Sequence, residues 1–197
     1  MKKGIAFFDF DGTITTKDTL LEFIKFYKGN FNFYLGFLLH APWLLAMKFK
    51  LMSNQVVKEK ILKYFFRNEN EEHFKEKCAA FHQQVLPGLI RSGAIKEINK
   101  LKDGNAIVVI VSASPENWIR PWTELINVEL IASRLEVKNG MITGKIVGKN
   151  CHGQEKVRRI KEKYVLSDYA EVYAYGDTSG DKDMLSLAKN AFYKPFR

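Results

Sequence analysis

Gly4-Ile5-Ala6-Phe7-Phe8-Asp9-Phe10-Asp11-Gly12-Thr13 is the stretch on which the reading of this chain turns. Residues 4–10 are a short apolar run, too brief for a helix and closed by Gly12, which is the pattern of a strand covered on both faces. On an extended chain residues i and i+2 point the same way. Asp9 and Asp11 therefore present two carboxylates at the C-terminal edge of a strand, where open α/β sheets bind ligands. Gly12 lets the backbone turn and approach a ligand closely. An acid embedded between Phe8 and Phe10 needs a strong partner, and two adjacent carboxylates repel unless a cation or a shared proton relieves them. Asp-x-Asp alone is a weak motif, so the rest of the chain has to supply the context.

Two further runs supply it. Residues 106–111 (Ala-Ile-Val-Val-Ile-Val) are rich in β-branched side chains, and 172–175 end at Gly176-Asp177. Ile90, Ala94, Ile98 and Leu101 form a helical face before the second run, and Val157, Ile160 and Tyr164 do so before the third. Strands alternating with helices imply a parallel sheet with right-handed crossovers, an α/β fold. Residues 129–143 read as a hairpin turning at Asn139-Gly140. Residues 14–86 break the rhythm: they show helical spacing (Leu20, Phe23, Ile24, Tyr27; Val57, Ile61, Leu62, Phe65) and no strand, and Pro87-Gly88 punctuates the return. The expected organisation is a core of 1–13 and 88–197 with a helical cap, 14–87, inserted after the first strand.

The chain has 197 residues, of which 46% are hydrophobic and 27% charged, enough for a core and too apolar for disorder. Its net charge of +9 favours anionic ligands. Segment 14–86 holds 11 Lys and Arg against 7 Asp and Glu, so the surplus is spread rather than gathered, and no nucleic-acid partner is expected. Cys78 and Cys151 are too few for a disulfide framework or a structural zinc site, and Asp9 breaks the only leader-like run, so a cytoplasmic protein is expected. The most apolar stretch, 33–47, gives about 22 Å of helix against a hydrocarbon core of about 30 Å, and His40 and Pro42 interrupt it. It reads either as a bent helix buried within the insert or as a weak membrane-surface contact over 33–50, with Phe37 and Trp43 in the interface and Lys48 and Lys50 facing lipid phosphates.

Three clusters join the first motif. Gly176-Asp177-Thr178-Ser179-Gly180-Asp181 brings two more acids to the same sheet edge. Four converging acids call for a divalent cation, and hard oxygen ligands suit Mg²⁺. Ser112, directly after the second strand, is a phosphate contact beside backbone N–H groups, whereas Ser114 reads as the cap of the following helix and Asp183 as a helix-start residue. Lys156 would balance phosphate and acid charge. His40, His73 and His82 read as packing or surface residues, and His152 lies close enough to Lys156 in sequence to approach a substrate.

Taken in order, Asp-x-Asp-Gly-Thr, strand plus Ser112, Lys156 and Gly-Asp-x-x-x-Asp resemble the motifs of the haloacid dehalogenase-like hydrolase superfamily, and the insert after the first motif resembles the small cap of its phosphoserine phosphatase-like branch (subfamily IB). The resemblance runs from Asp9 to Asp181. It implies a Rossmann-like three-layer core and a phosphatase that works through an aspartyl-phosphate. Asp9 would be the nucleophile and Asp11 the general acid and base. Asp9, Asp11 (through its main-chain carbonyl) and Asp177 would hold Mg²⁺, while Asp181 would hold a metal-bound water or orient Lys156. Ser112, Ala113, Gly12 and Lys156 would bind the phosphoryl group. The acid at Asp11 favours phosphoester hydrolysis over dehalogenation, because an alkoxide leaving group needs a proton and a halide does not. Asp18 stands where phosphoserine phosphatases carry a Glu for the substrate ammonium, and Lys58, Lys60 and Arg67 are candidates for the cation that would hold a substrate carboxylate. The shorter acid and the aromatic cap (Phe31, Phe33, Tyr34, Phe37, Trp43) leave a small phosphomonoester and a phosphorylated lipid headgroup as rival substrates, and phosphoryl transfer as a variant of the same chemistry.

Overall fold

The structure, a computed structural model, describes residues 3–197. Its strands are β1 (Ile5–Phe8), β2 (Ile107–Pro115), β3 (Glu129–Ser133), β4 (Leu135–Lys138), β5 (Met141–Ile146), β6 (Val172–Gly176) and β7 (Asn190–Tyr193). Its α-helices are α1 (Thr19–Lys48), α2 (Asn54–Phe66), α3 (Glu71–Gln84), α4 (Ser92–Asp103), α5 (Glu116–Leu125), α6 (Gln154–Lys163) and α7 (Lys182–Leu185).

The apolar run that opens the chain becomes the central strand. The main sheet is ordered β3-β2-β1-β6-β7 and every neighbouring pair is parallel. All four residues of β1 are buried, because alternate side chains enter different apolar layers. Ala6 and Phe8 join a cluster with Ile98, Trp118 and Tyr175, whereas Ile5 and Phe7 join another with Val109, Ile160 and Met184. The fold is therefore the three-layer α/β arrangement. In register, Phe8 lies opposite Ile110 of β2 and Tyr175 of β6, so the segments leaving these three strands gather at one edge.

Two strands differ from the sequence reading. Residues 129–133 are not part of the hairpin but a parallel strand, β3, hydrogen-bonded to β2; the hairpin proper is β4–β5, turning at Asn139-Gly140 between the paired Lys138 and Met141. The edge strand β7 was not anticipated, being four residues of which three are exposed.

Helices α1–α3 come after β1, as the helical spacing predicts. Phe23 lies among Phe66, Phe74 and Phe81 and stacks on Trp118 of α5 with ring centroids 4.7 Å apart, so one apolar cluster runs from the sheet into these helices. The hairpin is clasped by the same helices: Asn68 N–H donates to Ile142 C=O and Glu71 N–H to Gly140 C=O, each at 2.9 Å. Helix α1 is broken at Gly29, where φ 78° and ψ 162° put the backbone in a region closed to other residues, and Pro42 lies further along. The second half of α1 buries Phe33, Gly36 and His40 but leaves Phe31, Tyr34, Leu38 and Leu45 exposed, as is Phe49 at its C-cap, so the expectation of a helix buried within the insert holds for one face only. Among the described residues no helix is long and apolar enough to cross a membrane.

Candidate active site

Asp9 leaves β1 with its N–H still donating to Tyr175 C=O at 2.9 Å, so the sheet ladder itself fixes the start of the loop. Its carboxylate is buried and divided between two partners: Lys156 Nζ donates to Oδ1 at 2.5 Å, and the Thr13 hydroxyl lies 3.0 Å from Oδ2. The same hydroxyl lies 3.2 Å from Asp177 Oδ1 and so ties the loop after β1 to the loop after β6. Gly12 turns the chain at φ 81°, and a Cβ there would stand 2.5 Å from Asp177 Oδ2. Only glycine allows this approach.

Asp11 points the other way. Its Oδ1 accepts from Thr19 N–H at 2.6 Å and from the Thr19 hydroxyl at 2.5 Å, while Oδ2 has only Ser112 Oγ at 3.4 Å. Thr19 Oγ1 in turn accepts from the Trp118 indole at 3.0 Å. Ser112 is fully buried and accepts from Ser114 N–H at 3.0 Å. Ser114 does not cap α5, whose N-cap is Pro115 without a side-chain bond; it is buried and lines the cavity. Asp183 lies in the first turn of α7 without capping it.

Lys156, in the first turn of α6, is 1% exposed and also donates to Asp181 Oδ1 at 2.7 Å. Asp181 Oδ2 takes Thr178 N–H at 2.9 Å, the Thr178 hydroxyl at 2.8 Å and Asp177 N–H at 3.2 Å, which leaves this carboxylate fully engaged. Carboxylate oxygens of Asp9, Asp177 and Asp181 lie within 4.8 Å of one another. Asp177 also pairs with Arg197, a contact without any signal in the sequence.

The electrostatics arise from crowding. Burial pushes Asp9 up to about 7 against the pull of Lys156, with Asp181 and Asp11 adding to the rise. Burial and the Asp181 charge also raise Asp177. Burial acts to raise Asp181, but Lys156 outweighs it and the net shift is downward. For Lys156 burial disfavours the ammonium, yet Asp9 and Asp181 more than compensate and its pKa rises. The acids thus carry more negative charge than Lys156 and Arg197 neutralise, and the donors at Asp9 and Asp177 are hard oxygens. This set fits a divalent cation.

Of the sequence-predicted residues, Asp9, Asp11, Asp18, Ala113, Lys156 and Asp181 form the polar side of one cavity of about 370 Å³, whereas Gly12, Ser112 and Asp177 do not line it. Lys58 of α2 and His152 reach it too, and Lys58 Nζ donates to Ala113 C=O at 2.7 Å. Burial lowers the pKa of both, although Asp11 and Asp18 pull that of Lys58 up. Asp18 caps α1, accepting from Leu21 N–H at 3.2 Å. Lys60 instead sits over the Trp43 ring, and Arg67 lies by the hairpin, outside the cavity. The sequence reading missed Thr13 and Thr19, although both lie in or just after the Asp-x-Asp-Gly-Thr motif. Of the aromatic cap residues named from the sequence, Phe37 lines the cavity while Phe31, Phe33, Tyr34 and Trp43 do not, and Leu44, Met47, Val57 and Ile61, which complete the apolar wall opposite the acids, were missed as cavity residues.

The family model for haloacid dehalogenase-like hydrolases matches residues 6–186. The chain belongs to the haloacid dehalogenase-like hydrolases. Protein CicA of Caulobacter vibrioides is 33% identical to this hydrolase over 192 residues, covering 96% of the chain and 85% of CicA. Among solved structures, a Bordetella pertussis Tohama I protein of unknown function superposes with a TM-score of 0.81 at 18% identity, covering 95% of this chain and 88% of its own. A phosphoserine phosphatase captured as a phospho-aspartyl intermediate analogue superposes at 0.67 with 20% identity, over 100% of this chain and 95% of its own. This hydrolase therefore shares the fold of the phosphoserine phosphatase-like branch.

Proposed function

We propose that the chain is a Mg²⁺-dependent phosphatase that hydrolyses a phosphomonoester through an aspartyl-phosphate, with residues 14–87 acting as a cap over a core of 1–13 and 88–197. The observation that carries the reading is the meeting of Asp9, Asp177 and Lys156 at one sheet edge, drawn from β1, the loop after β6 and α6. The solved phosphoserine phosphatase with a phospho-aspartyl analogue supports it as a structural relative.

In this reading an Asp9 oxygen attacks phosphorus, the ester P–O bond breaks, and the leaving oxygen takes a proton from Asp11. A water then attacks phosphorus, Asp11 takes its proton, and Asp9 is regenerated as inorganic phosphate leaves. Asp11 suits both roles, since Thr19 anchors one carboxylate oxygen and leaves the other almost unengaged. Lys156, held by Asp181, keeps Asp9 in place and turns positive charge toward the phosphoryl oxygens, as do Ser112 and the backbone at Ala113 and Gly12. Asp9, Asp177 and the Asp11 main-chain carbonyl would hold Mg²⁺. Bound there, the cation would neutralise charge on the carboxylates and on the phosphoryl group. Asp18 and Lys58 face the part of the substrate beyond phosphate. The apolar wall formed by Phe37, Leu44 and Met47 favours an amphiphilic phosphomonoester, such as a phosphorylated lipid headgroup, over phosphoserine.

The test is hydrolysis of p-nitrophenyl phosphate with Mg²⁺. Asp9→Asn should lower kcat at least about a thousandfold, since an amide is a poor nucleophile. Near-native turnover in that variant would overturn the role of Asp9.

A further inference from the structure

We propose that the outer face of the second half of α1 docks the protein on an anionic lipid surface. Between Gly29 and Met47 there is no Asp, Glu, Lys or Arg. Past the break at Gly29, the helix turns Phe31, Tyr34, Leu38, Leu45 and Phe49 outward at spacings of three, four or seven, which makes a single stripe along its axis. These side chains are far from buried: Phe31 is 78% exposed, Leu38 71% and Phe49 70%. A soluble chain rarely leaves so continuous an apolar strip in water.

Charge decides what covers it. Lys48 and Lys50 stand exposed at the end of the stripe and make no ion pair among the described residues, and Lys60 lies 4.9 Å over the Trp43 ring beside it. A second copy of this chain would bring another net charge of +9 to the same contact, which is repulsive, whereas an anionic bilayer meets the lysines with opposite charge. A charge-free helical face flanked by lysines is the pattern of a helix lying in the interface plane. The opposite face of the same turns contributes Phe37, Leu44 and Met47 to the cavity, so docking would place this helix between the bilayer and the candidate site. Docking itself stands apart from the chemistry; only its link to the substrate rests on the phosphatase reading.

Vesicle co-sedimentation at low salt tests it, with phosphatidylcholine vesicles against vesicles containing phosphatidylglycerol. The native chain should bind the anionic vesicles at least tenfold more tightly. The triple variant Phe31→Ser, Leu38→Ser, Phe49→Ser should lose at least tenfold in that binding, and Lys48→Glu with Lys50→Glu about fivefold or more per lysine. Both variants should retain the native circular dichroism spectrum and hydrolysis of p-nitrophenyl phosphate. No binding to anionic vesicles, binding untouched by the triple variant, or a dimer in light scattering that the triple variant dissolves would each overturn the proposal, whatever the phosphatase assay shows.

Discussion

Asp11 divides its two carboxylate oxygens between different surroundings. Oδ1 is held by two donors from Thr19, whereas Oδ2 has only a long contact with Ser112. A group fixed at one oxygen and open at the other can pass a proton without losing its position, and the consequence is a dependence on the leaving group. In single turnover, Asp11→Asn should slow cleavage of an alkyl phosphate by about 10²–10⁴-fold. It should slow cleavage of p-nitrophenyl phosphate much less, since that phenolate leaves without a proton. Equal losses on both substrates would remove Asp11 from leaving-group protonation. Most of this residue-level pattern was legible in the sequence, because acids and a lysine at strand ends have few structural uses. Thr13 and Thr19 were not, since a hydroxyl that braces a carboxylate resembles any other loop or helix-start threonine. Arg197 was not either, because only the folded chain brings its guanidinium to Asp177.

At the scale of elements, α6 carries more than Lys156. Arg158 and Arg159 both bind Glu155, and Arg159 Nη1 also donates to Ala132 C=O in β3 at 2.6 Å, so this cluster fastens the helix to the sheet. Hydrogen bonds from Arg158, then Arg159, outweigh burial and hold Glu155 at about 2, below its ordinary 4.5. A lowered carboxylate pKa stabilises the folded state above the unfolded value and loses that contribution as pH falls through the folded one. Glu155→Gln should therefore cost about 2 kcal/mol in urea unfolding at pH 7, with the gap to wild type closing between pH 4.5 and pH 2. A gap of constant size across that range would count against the assignment. Elements with strong runs, β1, β2 and β6, were readable because β-branched and aromatic residues buried on both faces leave a plain signature. Strand β3 was absorbed into the hairpin because it directly precedes β4, and β7 is a short edge strand without an apolar run. In the second half of α1 both faces are apolar, so spacing alone could not tell which one meets the core.

For the whole molecule, the excess of buried negative charge at the sheet edge is a cost that a cation would relieve. Mg²⁺ at about a hundred times its Kd should stabilise the folded state by about 2.7 kcal/mol and raise Tm by roughly 5–10 °C over the EDTA-treated protein. Asp177→Asn should abolish most of that shift in calorimetry, and an equal shift in the variant would place the ion elsewhere.

The order of the sheet has a last consequence for how the protein is made. Its middle strand is made well before one of its partners: Ile5 pairs with Val172 and Phe7 with Ala174, so one flank of that strand stays unpaired until β6 is out. Helices α1–α3 can settle early on local contacts, while the pairing that unites Asp9 with Asp177 closes among the last. A nascent or truncated chain that stops short of β6 thus lacks Asp177 and carries a bare apolar edge on β1, open to pairing with another chain.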